Sequence, residues 1–379
     1  MKTRIFFLDN LRTFLVFFVI LYHAGFVYQS SLAGNWLVVD PVKSESIALV
    51  GMYIDTFVMF MLFFISGYFV PGSLKNKTAR GFLSAKFKRI YLPWFIAVFT
   101  LIPAYKTIFL YARGLPQEEW FSYFHFFQRT GTDLNFFANS PSQHWLWFLP
   151  ILFLFQVLYL ILSKTNFLTI NISLKTAVAL IFVIGVIYSM IISNLGLKGW
   201  SLNSVLDFQR ERLLVYFMVF LLGSLCYKLK IFESDKRSMK YLILSNVVLT
   251  LALTVYTIVA LNLFFNIIDP ERNFFFISSQ IDRIAYYSSL LLTMLSFIYI
   301  FVDLFRFKLN KTNKLMNHLN TNSYYVYIIH MIVLGLIALV LVNIPIPSVI
   351  KYLILTLLTF VVSHFIIYVY NRIIQKVIQ

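Results

Sequence analysis

Two side chains in the first apolar segment have the types and spacing for acyl or proton chemistry. Arg12 and His23 stand 11 residues apart, and Asp9 precedes Arg12 by three. On a helix of about 3.6 residues per turn, that interval returns Arg12 and His23 to one face and sets them about 16.5 Å apart along the axis. Asp9 and Arg12, at i and i+3, can pair. A guanidinium grips phosphate or carboxylate oxygens. A neutral imidazole can take a proton or attack as a nucleophile. A plainer account fits the same residues: Arg12 snorkels to the surface and His23 is an interfacial histidine.

A second polar stripe comes late in the chain. Ser323, Tyr327 and His330 stand at i, i+4 and i+7, which is one helical face. An imidazole near mid-membrane needs partners, and either catalysis or a bond between helices supplies them. Tyr327 and His330 are also candidate donors to an oxyanion. His364, beside Ser363, has no such company and reads as structural. Asp55 either faces the cavity of His23 or sits among the headgroups, and the second reading is slightly preferred. Ser66-Gly67 permits close approach of two helices. After it come Lys75, Lys77, Arg80, Lys86, Lys88 and Arg89. These are a topology signal that attracts anionic lipid, or a site for a phosphorylated ligand. No Walker A or Gly-rich dinucleotide loop is present, so a phosphate site has to be built from side chains.

The elements that must position these residues are membrane helices. Of 379 residues, 60% are hydrophobic and only 12% charged, far from the roughly 25% charge of soluble domains. A soluble fold cannot cover that much apolar side chain. Runs of about 20 apolar residues fall near 6–28, 50–70, 90–111, 145–163, 174–194, 212–230, 241–263, 284–304, 323–343 and 350–371. The third carries Pro93, Pro103 and Lys106. With the N-terminus in the cytoplasm, 21 of the 32 Lys and Arg fall in inner segments and 10 in outer ones, with Arg12 inside the first helix. This split supports about ten helices with both termini cytoplasmic. It also explains the net charge of +17 without nucleic acid. The acids Asp40, Glu45, Glu118, Glu119, Asp133, Asp207, Glu211, Asp269, Glu271 and Asp282 fall outside.

The outer loops are long, near 29–49, 112–144, 195–211 and 264–283. The 112–144 loop carries Trp120, Phe121, Tyr123, Phe124, Phe126 and Phe127, an interfacial helix or a sugar-stacking wall. Cys226 is the only cysteine, so no intrachain disulfide or multi-Cys metal site is possible. The N-terminal segment does not read as a signal peptide, since Asp9, Asn10 and Arg12 interrupt it. No internal repeat is evident, and residues 1–379 read as a single all-α polytopic membrane domain.

Five stretches, taken in order, resemble the integral-membrane acyltransferase 3 family. They are Leu8-Asp9 to Arg12 and His23, Phe63-Phe64-Ile65-Ser66-Gly67-Tyr68, Lys86 to Arg89-Ile90 and Pro93, His144-Trp145-Leu146-Trp147-Phe148-Leu149, and Ser323-Tyr324 to Tyr327 and His330. The Ser-Gly-Tyr-Phe form leans toward the branch with the periplasmic glucan succinyltransferases, and the chain is similar to stand-alone members. The resemblance implies transfer of an acetyl or succinyl group from cytoplasmic acyl-CoA to a hydroxyl of an extracytoplasmic carbohydrate, at the cell membrane. It implies that His23 is catalytic and that Arg12, Lys86 and Arg89 serve the donor, with Ser66 on the donor side as well. Acyl-CoA is then a co-substrate, and no cofactor or metal is expected. The competing readings are a transporter or flippase of a saccharide or lipid-linked substrate, and a non-catalytic scaffold.

Overall fold

A computed structural model describes residues 5–29, 36–117, 143–165, 168, 170–203, 206–234, 236–265 and 274–378. The aromatic cluster of Trp120 to Phe127 lies outside the described residues. Twelve α-helices are found among those described: α1 (Phe6–Gly25), α2 (Glu45–Asp55), α3 (Val58–Leu74), α4 (Ala79–Lys86), α5 (Leu92–Ala112), α6 (Phe148–Ser163), α7 (Leu174–Asn194), α8 (Leu213–Lys228), α9 (Met239–Phe265), α10 (Ser279–Phe307), α11 (Lys314–Val342) and α12 (Ser348–Ile378). A two-residue hairpin pairs β1 (Trp200–Ser201) with β2 (Phe208–Gln209) between α7 and α8.

Among the described residues, nine helical segments are long and apolar enough to cross a membrane, and α8 is a shorter tenth of 16 residues. Each of the ten expected runs therefore has its helix, and the chain is an all-α polytopic membrane protein. The ninth of these helices begins at Lys314, nine residues before the expected 323, and two other segments differ in form. The second is 45–74 rather than 50–70, and it is broken at Thr56-Phe57 between α2 and α3. The third begins at α4 and passes through a π-helical turn, Phe87–Tyr91, before α5. Thr78 caps α4 by accepting from the Gly81 N–H at 3.1 Å, so the helix starts at a good N-cap residue inside the basic loop.

Helix α1 is the hub. Its buried positions include Leu8, Leu11, Leu15, Val19 and Ile20, and it packs on α2, α3, α10, α11 and α12. Its inner end is locked to the start of α11. Asn10 donates to the carbonyls of Leu309 and Lys311 at 2.6 and 2.9 Å, and accepts from Asn320 at 2.7 Å. Thr13 donates to Asn320 Oδ1 at 2.7 Å. At the outer end, Lys351 of α12 meets Asp40 at 2.8 Å, with both side chains buried. Breaking such a pair strands a charge, so it holds register more than it adds stability.

The tightest contact joins α3 and α8. A β-carbon at Gly67 would overlap the Phe220 carbonyl oxygen, and one at Gly223 would overlap that of Phe64. The helices run parallel with their backbones in contact, which small residues allow in membranes. Close helix approach was expected from Ser66-Gly67, and Ser66 itself is half-buried beside this contact.

Candidate active site

Arg12 and His23 both face α11, and each meets one member of the late polar stripe. Arg12 Nε donates to Ser323 Oγ at 3.3 Å. Its Nη2 donates to Asp9 Oδ1 at 3.1 Å and to the Asn320 carbonyl at 3.2 Å. The expected Asp9–Arg12 pair is present, and the Arg12 side chain as a whole is 30% exposed. Further out, His23 Nδ1 lies 3.0 Å from His330 Nε2. Helices α1 and α11 are therefore tied at two levels, a cationic inner one and an imidazole outer one.

The protons follow from the partners. His330 Nδ1 lies 2.6 Å from the Tyr327 carbonyl oxygen. A carbonyl only accepts, so Nδ1 carries the hydrogen of a neutral His330, and its Nε2 is an acceptor. His23 Nδ1 must then donate to it. A neutral His23 is left with its lone pair on Nε2. The second imidazole thus fixes the tautomer of the first, as a partner on one ring nitrogen does for the other.

His23 lines a small cleft of about 50 Å³ together with Val19, Tyr22, Asp55, Trp145, Gln209 and Tyr327. That is room for a hydroxyl group or a few waters. Trp36 lies almost parallel to the His23 ring, 15° between planes and 5.8 Å between centroids. Arg113 holds this tryptophan in place, donating to the carbonyls of Trp36 and Leu37 at 2.7 and 3.3 Å.

Asp55 lines the cleft with His23, as in the first of its two sequence readings. The break after α2 exposes the end of that helix to Arg212, whose guanidinium meets Asp55 Oδ2 at 2.7 Å. Arg212 itself is buried. In the sequence it was one outer cation among ten, with nothing to mark a partner 157 residues earlier.

The hairpin is fixed over the cleft by buried polar groups. Asp207 accepts from the backbone N–H groups of Gln143 and Asn203 at 2.7 and 2.8 Å, and Gln143 Oε1 accepts from the Asp207 N–H at 3.0 Å. Trp145, two residues after Gln143, lines the cleft together with His23. His144 adopts φ 47°, a left-handed conformation uncommon for a non-glycine residue, and its ring stacks on Tyr105 at 4.7 Å.

Tyr327 and His330 sit at the centre, but their hydrogens are committed. The Tyr327 hydroxyl donates to the Trp145 carbonyl, and His330 donates to the Tyr327 carbonyl. In this arrangement both hydrogens are engaged within the protein. Gln209, whose Oε1 accepts from the Tyr216 hydroxyl at 2.8 Å, carries an amide N–H₂ donor group in the same cleft.

The basic stretch lies at the inner level. Lys86 ends α4, half-buried over the Phe82 ring at 5.3 Å. Arg89 lies exposed in the π-turn, a feature often found at functional sites. Tyr324, next to Ser323, places its hydroxyl 3.4 Å from the Ile90 carbonyl. The basic turn and Arg12 thus meet adjacent residues of α11, Tyr324 and Ser323. His364 is buried on α12 against Phe360, apart from the stripe. Among the described residues no group of three His, Cys, Asp or Glu could hold a metal ion.

In comparisons with known proteins, a family model described as an acyltransferase domain matches residues 5–368. No curated protein and no solved structure matches the chain.

Proposed function

The chain belongs to this acyltransferase family, and from that premise we propose that it moves an acyl group from cytoplasmic acyl-CoA to a hydroxyl of an extracytoplasmic carbohydrate. The observation that carries the proposal is the His23–His330 pair at 3.0 Å, which leaves His23 Nε2 as the free base at the head of a hydrogen-bonded row. Arg12, Lys86 and Arg89 serve the phosphates of the donor on the basic side. The thioester is delivered along the α1–α11 face toward the imidazole.

In the base-catalysed form, Nε2 takes the proton of the acceptor hydroxyl as its oxygen attacks the thioester carbon. The C–S bond breaks, and the proton passes from the imidazolium to the departing CoA thiolate. In the acyl-enzyme form, Nε2 attacks the thioester carbon and the C–S bond breaks, releasing CoA as its thiolate; the acceptor oxygen then attacks the acyl carbon, the C–N bond breaks, and the hydroxyl proton offsets the thiolate, leaving free CoA thiol and a neutral imidazole. Nδ1–H···Nε2 donation to His330 helps both, because positive charge on the His23 ring strengthens that bond. Asp55 is close enough to the cleft to orient an acceptor hydroxyl. The acyl group is acetyl or succinyl, and the membrane is the cell membrane.

The direct test is acyl transfer by the purified protein from acetyl-CoA and succinyl-CoA to an oligosaccharide, followed by mass. His23→Ala should abolish transfer while leaving CoA binding in place. A labelled acyl group retained on wild-type protein but not on His23→Ala selects the acyl-enzyme form. The transport reading has no comparable support, and a transporter would neither consume acyl-CoA nor be stabilised by CoA.

A further inference from the structure

Two residues of the His23 cleft come from the β-hairpin. Trp200 of β1 and Gln209 of β2 are paired directly opposite each other, so their side chains share one face of the hairpin. Both line the cleft. The hairpin is braced at its base. Gly199, at φ 95°, takes a backbone conformation that suits glycine and turns the chain into β1. Its N–H donates to Glu211 Oε2 at 2.7 Å, and Ser189 of α7 donates to the Glu211 carbonyl at 2.9 Å. With the Asp207 clasp, these bonds make the hairpin a fixed lip of the cleft.

Trp200 is 42% exposed, although burying so large an aromatic ring is favourable. Trp147 behind it is buried and meets it at 5.2 Å with 81° between planes. One tryptophan thus fixes the other, which keeps ring surface open at the mouth. The interior is small. At about 50 Å³ it admits a hydroxyl and not a sugar ring. Of the described residues lining it, Asp55 is the only acid and none is Lys or Arg. Asp55 already meets Arg212 at 2.7 Å. The cleft therefore offers a carboxylate acceptor and the Gln209 amide N–H₂ donor without a net charge.

We propose that Trp200 is the stacking platform for the acceptor, a neutral pyranose whose C–H face lies on the indole at the mouth while one hydroxyl reaches His23 Nε2. Gln209 and Asp55 bind the flanking hydroxyls. A pyranose has both surfaces that this lip requires, an apolar face for the ring and a rim of hydroxyls for the amide and the carboxylate. An aliphatic alcohol lacks the rim, and an ionic acceptor finds no unmatched charge in the lining. The proposal rests on the acyl-transfer reading and adds to it the residues that select the acceptor.

The test uses the full chain in a detergent that carries no sugar. Saturation-transfer NMR with neutral gluco-, galacto- and manno-oligosaccharides, in the absence of acyl-CoA, should detect a bound oligosaccharide on wild type. Trp200→Ala and Trp200→Leu should remove that signal, and Trp200→Phe should keep part of it because it retains an aromatic face. In transfer assays with the same oligosaccharide, Trp200→Ala should raise the acceptor Michaelis constant roughly fivefold or more and leave that for acyl-CoA near wild type. A tryptophan that only anchors in the headgroups would move neither readout. Absence of oligosaccharide binding by wild type, or equal binding by Trp200→Ala, overturns the proposal. Trp200-dependent binding by a protein that consumes no acyl-CoA would retain the site and refute acyl transfer. Transfer with an unchanged acceptor constant in Trp200→Ala would do the reverse.

Discussion

Arg212 and Asp55 meet at 2.7 Å across the break between α2 and α3, and the guanidinium is the more buried partner. Arg212 also donates to the Asp55 carbonyl at 3.4 Å, serving a helix end that would otherwise lack a partner. Removing one side of a buried pair strands the other, at a cost of about 3–5 kcal/mol. Asp55→Ala should therefore lower thermal stability in detergent sharply. Asp55→Ala with Arg212→Met should recover most of the loss, as read by the unfolding midpoint. A double variant no more stable than Asp55→Ala would show that the pair does not act as a unit.

His23 and His330 should separate kinetically. His23→Ala should reduce turnover by about 10²–10⁴-fold, the range of general acid–base catalysis, and leave a folded, inserted protein. His330→Ala should cost less, because it removes the acceptor that fixes the His23 tautomer and not the base itself. His330→Gln keeps an acceptor oxygen and should recover part of the turnover, which a purely structural role would not require. His364→Ala is the control, with turnover near wild type. Should His23→Ala keep more than a tenth of wild-type turnover, His23 is not the base.

Arg89 reports on the donor. A charged hydrogen bond contributes about 1.5–3 kcal/mol, so Arg89→Ala should raise the Michaelis constant for acyl-CoA roughly tenfold or more, with little effect on that for the acceptor. Arg89→Lys should recover only part, since lysine lacks the planar fork. An unchanged donor constant would leave the basic turn as a topology signal.

Gly67 and Gly223 test the α3–α8 contact. A methyl at either position meets a backbone carbonyl that no rotamer change can move. Overpacking of this kind costs about 1–3 kcal/mol. The double variant should lose less than the sum, because the first methyl already parts the helices for the second. Additive losses in the unfolding midpoint would mean that the two glycines sit at separate contacts.

The helices were legible because twenty apolar residues between polar breaks have few other fates, and each expected run has its helix. The shared face of Arg12 and His23 was legible too, as periodicity alone fixes it. What periodicity does not carry is which helix a face meets. The sequence marked Ser323, Tyr327 and His330 as a stripe, yet nothing local paired Ser323 with Arg12 or His330 with His23, 311 and 307 residues apart. The same limit left Asp55 between two readings, since the break that turns it to Arg212 depends on a helix much later in the chain. Tyr327 had the right position for an oxyanion donor. Only the Trp145 carbonyl beside its hydroxyl reveals that the hydrogen is already engaged.

The pairing of α1 with α11 sets an order of events during synthesis. Arg12 and Asn10 find their α11 partners some 310 residues downstream. At about 5–20 residues per second, the ribosome needs on the order of 15–60 s to make that interval. For that time α1 is in the bilayer with an amide and an imidazole whose late partners do not yet exist, and with a guanidinium that has Asp9 but not yet Ser323 or Asn320. The first helix to enter is the last to be completed, and a chain truncated before α11 leaves it permanently so. Such products leave polar groups facing lipid, so the face that carries Arg12 and His23 also marks whether the chain was finished.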